Sequence, residues 1–207
     1  MNKLLVIYPK EFKSYSKFAR KFKNIVSNFG AYTIISPSDY NGFVSQFSSE
    51  GGNVASFEIA KEWKLSQFTH AIVFDDGEEF ISEIEFIKAV SLPIRVIKIK
   101  ITRVINIKNS DEYSTTTIDP KFEYIGRGSY WGNPYSIYEV EDLDEDETPR
   151  DNVIRKFKYD FEYNCLLNRD KNKVYSLAGK RLGCYRKPEA CHGDVLADYL
   201  NSYDDGE

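Results

Sequence analysis

The sequence predicts an α/β protein: a Rossmann-like, mostly parallel sheet with flanking helices in the N-terminal half, then a smaller C-terminal α/β domain. Three observations carry this reading. Short apolar runs alternate with segments of helical period over residues 3–90, a polar stretch at 108–120 interrupts the pattern, and a second, glycine-punctuated set of strands and helices follows it. Strands separated by helices return to the same sheet by right-handed crossovers, which makes the sheet parallel and puts ligands beyond the carboxyl ends of its strands. The expected organisation is a Rossmann-like domain at 1–108, a linker at 109–120 and a small α/β domain at 121–207.

Residues 3–8 are a continuous apolar run closed by Pro9, the pattern of a buried strand. Ser14 caps a helix in which Phe18, Phe22, Ile25, Val26 and Phe29 recur at helical spacing, with Gly30 as its stop. A strand at 32–36 leads into residues 37–53, a loop rich in Ser, Gly and Asn that is long for a connection of this kind. Residues 54–68 put Phe57, Ala60, Trp63 and Leu65 on roughly one face and are expected to be helical. A third strand at 70–74 includes His70, read as a packed residue, and ends at Asp75-Asp76-Gly77. The helix expected at 79–90 turns Phe80, Ile84 and Ile87 inward, and Pro93 opens an alternating stretch at 94–107 that makes one or two strands.

Past the linker, a short strand at 122–125 precedes Gly126-Arg127-Gly128-Ser129-Tyr130-Trp131-Gly132-Asn133-Pro134, a structured loop whose backbone amides can meet a ligand. Residues 139–147 hold seven acids. Thr148-Pro149 is an N-cap with proline in the first helical position, and Val153, Ile154, Phe157 and Phe161 mark the inner face of the helix it starts. A polar turn at 168–172, a short run at 174–177 closed by Gly179, a strand at 181–184, a helix at 193–200 and an acidic, frayed tail complete the chain.

With 207 residues the chain can bury one large core or two small ones, and 42% hydrophobic residues set it apart from disordered chains. A formal net charge of -4 gives no overall attraction to nucleic acid, so any phosphate contact must come from a local basic patch. No apolar run approaches the roughly 18–20 residues of a membrane span, and the start is too short for a signal peptide. Three cysteines, an odd number, indicate a reducing, cytoplasmic setting.

The stretch around residues 69–97, with Val73-Phe74-Asp75-Asp76-Gly77, then Ser82-Glu83-Ile84-Glu85-Phe86-Ile87-Lys88-Ala89, then Leu92-Pro93-Ile94, resembles nucleoside 2-deoxyribosyltransferases and the wider nucleotide-binding superfamily of lysine-decarboxylase-like and DprA-like domains. That resemblance implies a catalytic nucleophile at Glu85, four residues before Ala89, and a first-domain pocket at Asp75 and Asp76. A carboxylate there can capture a sugar when a second group protonates the leaving base. The chain departs from the pattern in two places. Glu78-Glu79-Phe80-Ile81 stands where the transferases carry small glycine-containing residues, and of a glycine-rich phosphate loop after the second strand only Gly42 and Gly51-Gly52 remain.

The last ninety or so residues resemble an uncharacterised domain family of phage and bacterial genomes, on Ile125-Gly126-Arg127-Gly128-Ser129-Tyr130-Trp131-Gly132-Asn133-Pro134 and on Leu182-Gly183-Cys184 continuing to Cys191-His192-Gly193-Asp194-Val195-Leu196. Members read Leu-Gly-Cys-Trp-Cys at the second motif, and this chain has Arg186 where the second cysteine is expected.

The second motif supports several chemistries. Cys184, Cys191 and His192 give three ligands of a tetrahedral metal site, with Cys165 as a fourth only if the fold brings it near; the expectation is that there is no metal or other cofactor. A cysteine activated by His192 is a second option, and small apolar packing is the plain role of the cysteines. The favoured reading is an anion site at the helix start His192-Gly193-Asp194, with Lys180, Arg181, Arg186 and Lys187 upstream. The 126–134 loop adds Arg127, Gly128, Ser129 and Asn133, with Trp131 or Tyr130 to stack on a base. His192 and Glu85 are the catalytic candidates, and Asp194 is otherwise a helix cap.

The sequence therefore predicts a phage-related protein that binds a nucleotide-type small molecule and acts on an N-glycosidic bond if it is an enzyme. The alternative is a non-catalytic interaction protein that binds a host or defence protein through the acidic run at 139–147, or binds nucleic acid. A second copy of the chain is a further partner to test.

Overall fold

Five short strands form one all-parallel sheet in the first of two units. The computed structural model describes residues 1–108, 110–140 and 143–206, and divides the chain into Met1–Lys100 with the C-terminal residues from Ser202, and Ile101–Asn201.

In the first unit β1 (Asn2–Ile7), β2 (Tyr32–Ser36), β3 (Val54–Ile59), β4 (His70–Asp75) and β5 (Ile94–Lys98) lie in the order β3-β2-β1-β4-β5. β1 is central, and Leu4, Leu5 and Val6 are fully buried because both faces of a parallel sheet are covered. α1 (Tyr15–Val26) starts at Ser14, whose hydroxyl accepts from the Lys17 amide, and buries Phe18 and Phe22. It ends at Ser27 rather than Gly30. α3 (Ile81–Ala89) turns Phe80, Ile84 and Ile87 into the core, as its spacing predicts. His70 is half-buried, with its ring 5.0 Å from that of Phe29.

Two sequence expectations fail here. Residues 37–53 contain α2 (Phe43–Ser49), and residues 54–59 are the edge strand β3 rather than a helix. The open edge of β2 needs a backbone partner, and β3 supplies it, with the Ala60 amide extending the ladder to the Ser36 carbonyl at 2.9 Å. Ala60, Trp63 and Leu65 do pack on the core, which is why they read as one face, but they reach it from a strand end and a single 3-10 turn at Leu65–Gln67. The acidic tail is held: Asp205 pairs with the largely buried Lys17 at 2.6 Å and Asp204 with Arg20 at 2.7 Å.

The second unit is built on β6 (Arg103–Asn106), β7 (Phe122–Tyr124) and β8 (Arg181–Cys184), all parallel in the order β6-β8-β7. The alternating stretch at 94–107 is thus two strands in two different sheets. Of residues 109–120, expected as a linker, 110–120 belong to the second unit, where Tyr113 stacks on Phe122 at 4.7 Å, and Asn109 lies outside the described residues. α4 (Pro149–Glu162) opens with a capping box between Thr148 and Asp151, and α5 (His192–Ser202) follows β8. Their inner faces enclose Ile125, Trp131, Phe157, Phe161, Leu182 and Leu196. Asn201 closes the unit by accepting from the Thr102 amide and donating to the Thr102 carbonyl, at 2.8 and 3.0 Å. No helix among the described residues is long and apolar enough to cross a membrane.

Candidate functional site

A cavity of about 230 Å³ opens at the carboxyl end of the second unit's sheet. Three chain segments build it: the stretch after β7, the first turns of α4, and the loop joining β8 to α5. The position follows from topology, because loops leaving the carboxyl ends of parallel strands converge at one edge.

Three arginines line this cavity, Arg127 from the β7 loop, Arg150 from α4 and Arg186 from the β8 loop. Arg150 pairs with Glu189. Neither Arg127 nor Arg186 has an ion-pair partner among the described residues. Asn133 lines the wall with its amide tied to the Val153 carbonyl at 2.9 Å, and its oxygen accepts from the Tyr135 amide. Tyr135 donates to Asp160, which holds the phenol protonated. Tyr138 and Tyr185 complete the rim with solvent-facing rings, 89% and 48% exposed.

The floor is formed by Cys184, Cys191 and His192. The neighbouring Cys191 thiol, with the Arg186 backbone N–H and guanidinium, pulls the Cys184 thiol down against an opposing push from burial. The neighbouring Cys184 sulfur and burial push the Cys191 thiol up. His192 is buried, and desolvation lowers its pKa. Its Nε2 lies 2.8 Å from the Ile125 carbonyl, a hydrogen bond that ties the start of α5 to the end of β7.

Of the residues singled out in the sequence, Arg127, Asn133, Cys184, Arg186, Cys191 and His192 meet in this cavity. The others do not line it. Trp131, expected to stack on a base, is 3% exposed and packs in the core against Phe161. Lys180 and Arg181 stand at the amino end of β8, a strand length of about 10–13 Å from Cys184, and Lys180 pairs with Glu123 at 3.1 Å. Asp194 accepts from the Cys191 amide at 2.9 Å and pairs with Lys187, so it acts as the helix cap. Gly193 is a packing residue: a Cβ there would sit 2.5 Å from Ile125 Cδ1. Gly128 is exposed and Ser129 half-buried in a loop that uses its own amides, Ser129 to the Gly126 carbonyl and Gly132 to the Ser129 carbonyl. Gly132 allows that fold, since a Cβ on it would meet the Gly126 carbonyl oxygen at 2.4 Å.

The first-unit candidates serve turns or face solvent. Asp75 accepts from the Gly77 amide and Asp76 from the Glu78 and Glu79 amides, so both shape the turn into α3. Glu85 lies on the exposed side of α3. The place of a phosphate loop, at the start of α2, is filled from within: the Asp39 carboxylate accepts from the Val44 and Ser45 amides, the Ser45 hydroxyl and the Tyr8 hydroxyl.

Among the described residues no three His, Cys, Asp or Glu side chains are grouped to hold a metal ion, and Cys165 is exposed and does not line the cavity. In the acidic run Glu147 is bound by Arg155 and Asn152 and Asp144 by Arg155, while Glu145 and Asp146 are exposed; Glu141 and Asp142 lie outside the described residues. Sequence reasoning missed Arg150, Tyr135, Tyr138 and Tyr185. Their place follows from the fold, in which the start of α4 lines the same cavity as the loops after β7 and β8.

These features define a two-unit α/β protein with its cavity at the carboxyl edge of a small parallel sheet. Residues 1–105 match the model of the Minimal SLOG domain, and the chain belongs to that family. Residues 105–202 match a domain of unknown function, DUF4326, a span that includes the whole cavity. The chain is also similar to an uncharacterised 12.4 kDa protein of Enterobacteria phage T4 from the nrdA-td intergenic region, 36% identical over 78 residues. That match covers 37% of this chain and 65% of the phage protein's length. No solved structure matches.

Proposed function

We propose that the protein binds a nucleotide-type ligand in the second unit's cavity, with phosphate toward Arg127, Arg150 and Arg186 and the base against Tyr138 or Tyr185. The observation that carries this is the meeting of three guanidinium groups from three separate segments in one cavity. Guanidinium groups hold phosphate oxygens by paired, charge-assisted hydrogen bonds, and exposed aromatic rings accept any base face. Membership of the Minimal SLOG family and similarity to a phage protein support a phage-related role for the same ligand class.

Cleavage of an N-glycosidic bond is the narrower form of this proposal. The position of Glu85 on an exposed helix face, with the start of α2 capped by Asp39, favours binding over that reaction. Calorimetric titration with nucleosides and their monophosphates tests the binding. The account predicts heat with the monophosphates and little with the nucleosides, and equal affinity for the two would refute it. Release of free base from any of these ligands, lost in Glu85→Gln, would establish the reaction.

A further inference from the structure

One of the three arginines in the cavity is already taken. Arg150 pairs with Glu189 of the loop joining β8 to α5, while Arg127 and Arg186 have no ion-pair partner among the described residues. Arg150 is the second residue of α4, in the first turn, where the positive end of the helix dipole opposes a cation. An anion is favoured beside it, and in the free protein Glu189 is that anion. Arg150 lines the cavity and Glu189 does not, so a carboxylate from outside the cavity engages one of its donors.

The pair holds little else in place. The Glu189 and Arg150 side chains are 58% and 30% exposed. The loop has ties of its own: Asn106 donates to the Lys187 carbonyl, Lys187 pairs with Asp194, the Glu189 amide donates to the Arg186 carbonyl at 3.0 Å, and the Cys191 amide donates to the Asp194 carboxylate at 2.9 Å. Release of Arg150 therefore frees the Glu189 side chain into solvent and leaves the loop backbone where it is. An exposed ion pair is weak, so a stronger anion displaces it. A phosphomonoester is such an anion, with a charge of about −1.5 to −2 at pH 7 and three acceptor oxygens, against the single charge of a carboxylate.

We infer that Glu189 is a built-in competitor for the ligand: its carboxylate holds Arg150 in the free protein, the phosphomonoester group of the ligand displaces it, and the affinity of the cavity is lower by the strength of that pair. The inference rests on the cavity being the ligand site. Arg127 and Arg186 are open to the phosphate from the start, and Arg150 joins them only after the exchange. Glu189 touches no ligand atom and acts through Arg150.

Calorimetric titration of a nucleoside monophosphate into the natural protein, Glu189→Gln, Arg150→Ala and the double variant tests this. Glu189→Gln keeps the size of the side chain and removes its charge, and a melting curve checks that the free variant is folded. It should bind about two- to fivefold tighter than the natural protein, the change that loss of an exposed competing ion pair produces. In the Arg150→Ala background the same substitution should leave the affinity unchanged, because no guanidinium remains to compete for. Equal or weaker binding by Glu189→Gln overturns the inference. So does an equal gain in both backgrounds, which makes Glu189 a general repulsive charge rather than a competitor for Arg150. Either result leaves the ligand site standing, since the natural protein still binds. If neither the natural protein nor Glu189→Gln binds any nucleoside monophosphate, the ligand site falls and the competitor with it.

Discussion

Removing Arg127 isolates the recognition of charge from the stability of the fold. The side chain is exposed, lines the cavity and has no ion-pair partner among the described residues, so Arg127→Ala disturbs no packing and the free protein should unfold within about 0.5 kcal/mol of the natural one. A charge-assisted hydrogen bond to phosphate contributes about 1.5–3 kcal/mol, and the exposure of this guanidinium places the loss near the lower figure, about tenfold in affinity. At a ligand concentration of about 100 times the dissociation constant, binding stabilises a protein by about 2.7 kcal/mol; a tenfold weaker complex at the same concentration retains about 1.4 kcal/mol. The nucleotide-induced rise in melting temperature should therefore fall by roughly half in the variant. Thermal melts across a series of nucleoside monophosphates measure this directly. An unchanged rise in Arg127→Ala for every ligand that stabilises the natural protein would refute the placement of phosphate.

Three further outcomes follow from the packing and the caps. Gly132→Ala drives a Cβ to within 2.4 Å of a backbone carbonyl oxygen and should cost about 1–3 kcal/mol in denaturant unfolding while weakening ligand binding, because Asn133 and Tyr135 lie just beyond it. Asn201→Ala leaves the buried Thr102 amide and carbonyl without their partner, at about 1–3 kcal/mol for each unsatisfied group. Burial alone would raise the Asp39 pKa, but hydrogen bonds from Ser45, Tyr8 and Val44 outweigh it and hold the carboxyl low. A group depressed on folding stabilises the native state above its unfolded value of about 3.9 and loses that contribution as pH falls through its folded value. Stability measured by acid titration should show this loss, and Asp39→Asn should remove it along with part of the α2 cap, about 1 kcal/mol.

Much of the fold is legible in local pattern. β2 and β8 fall where β-branched and aliphatic runs predict them, and the Ser14 and Thr148 caps start their helices as read. β3 was not legible, because an edge strand with half-exposed Phe57 and Ile59 carries a mixed pattern, and only the need of β2 for a hydrogen-bonded neighbour decides it. The same limit applied to β6, whose Val104 and Ile105 continue the apolar alternation of β5 although its partner strand lies about eighty residues on. At the site, the residue types in the two motifs point to loops that border the cavity, but not to which side chains face it. Trp131, a base platform by its sequence context, is core, while the basic cluster around β8 separates into Lys180 and Arg181 at one end of the strand and Arg186 at the other. Strand direction decides this, and spacing along the chain does not show it.

The central claim is that the cavity at the carboxyl edge of β7 and β8 holds the phosphate of a nucleotide-type ligand. A crystal structure of the protein with a bound nucleoside monophosphate tests it most directly. The account predicts the phosphate within hydrogen-bonding distance of Arg127, Arg150 and Arg186, above the Cys184 sulfur, with the base on Tyr138 or Tyr185. A nucleotide bound instead at the start of α2 in the first unit, displacing Asp39, would contradict it.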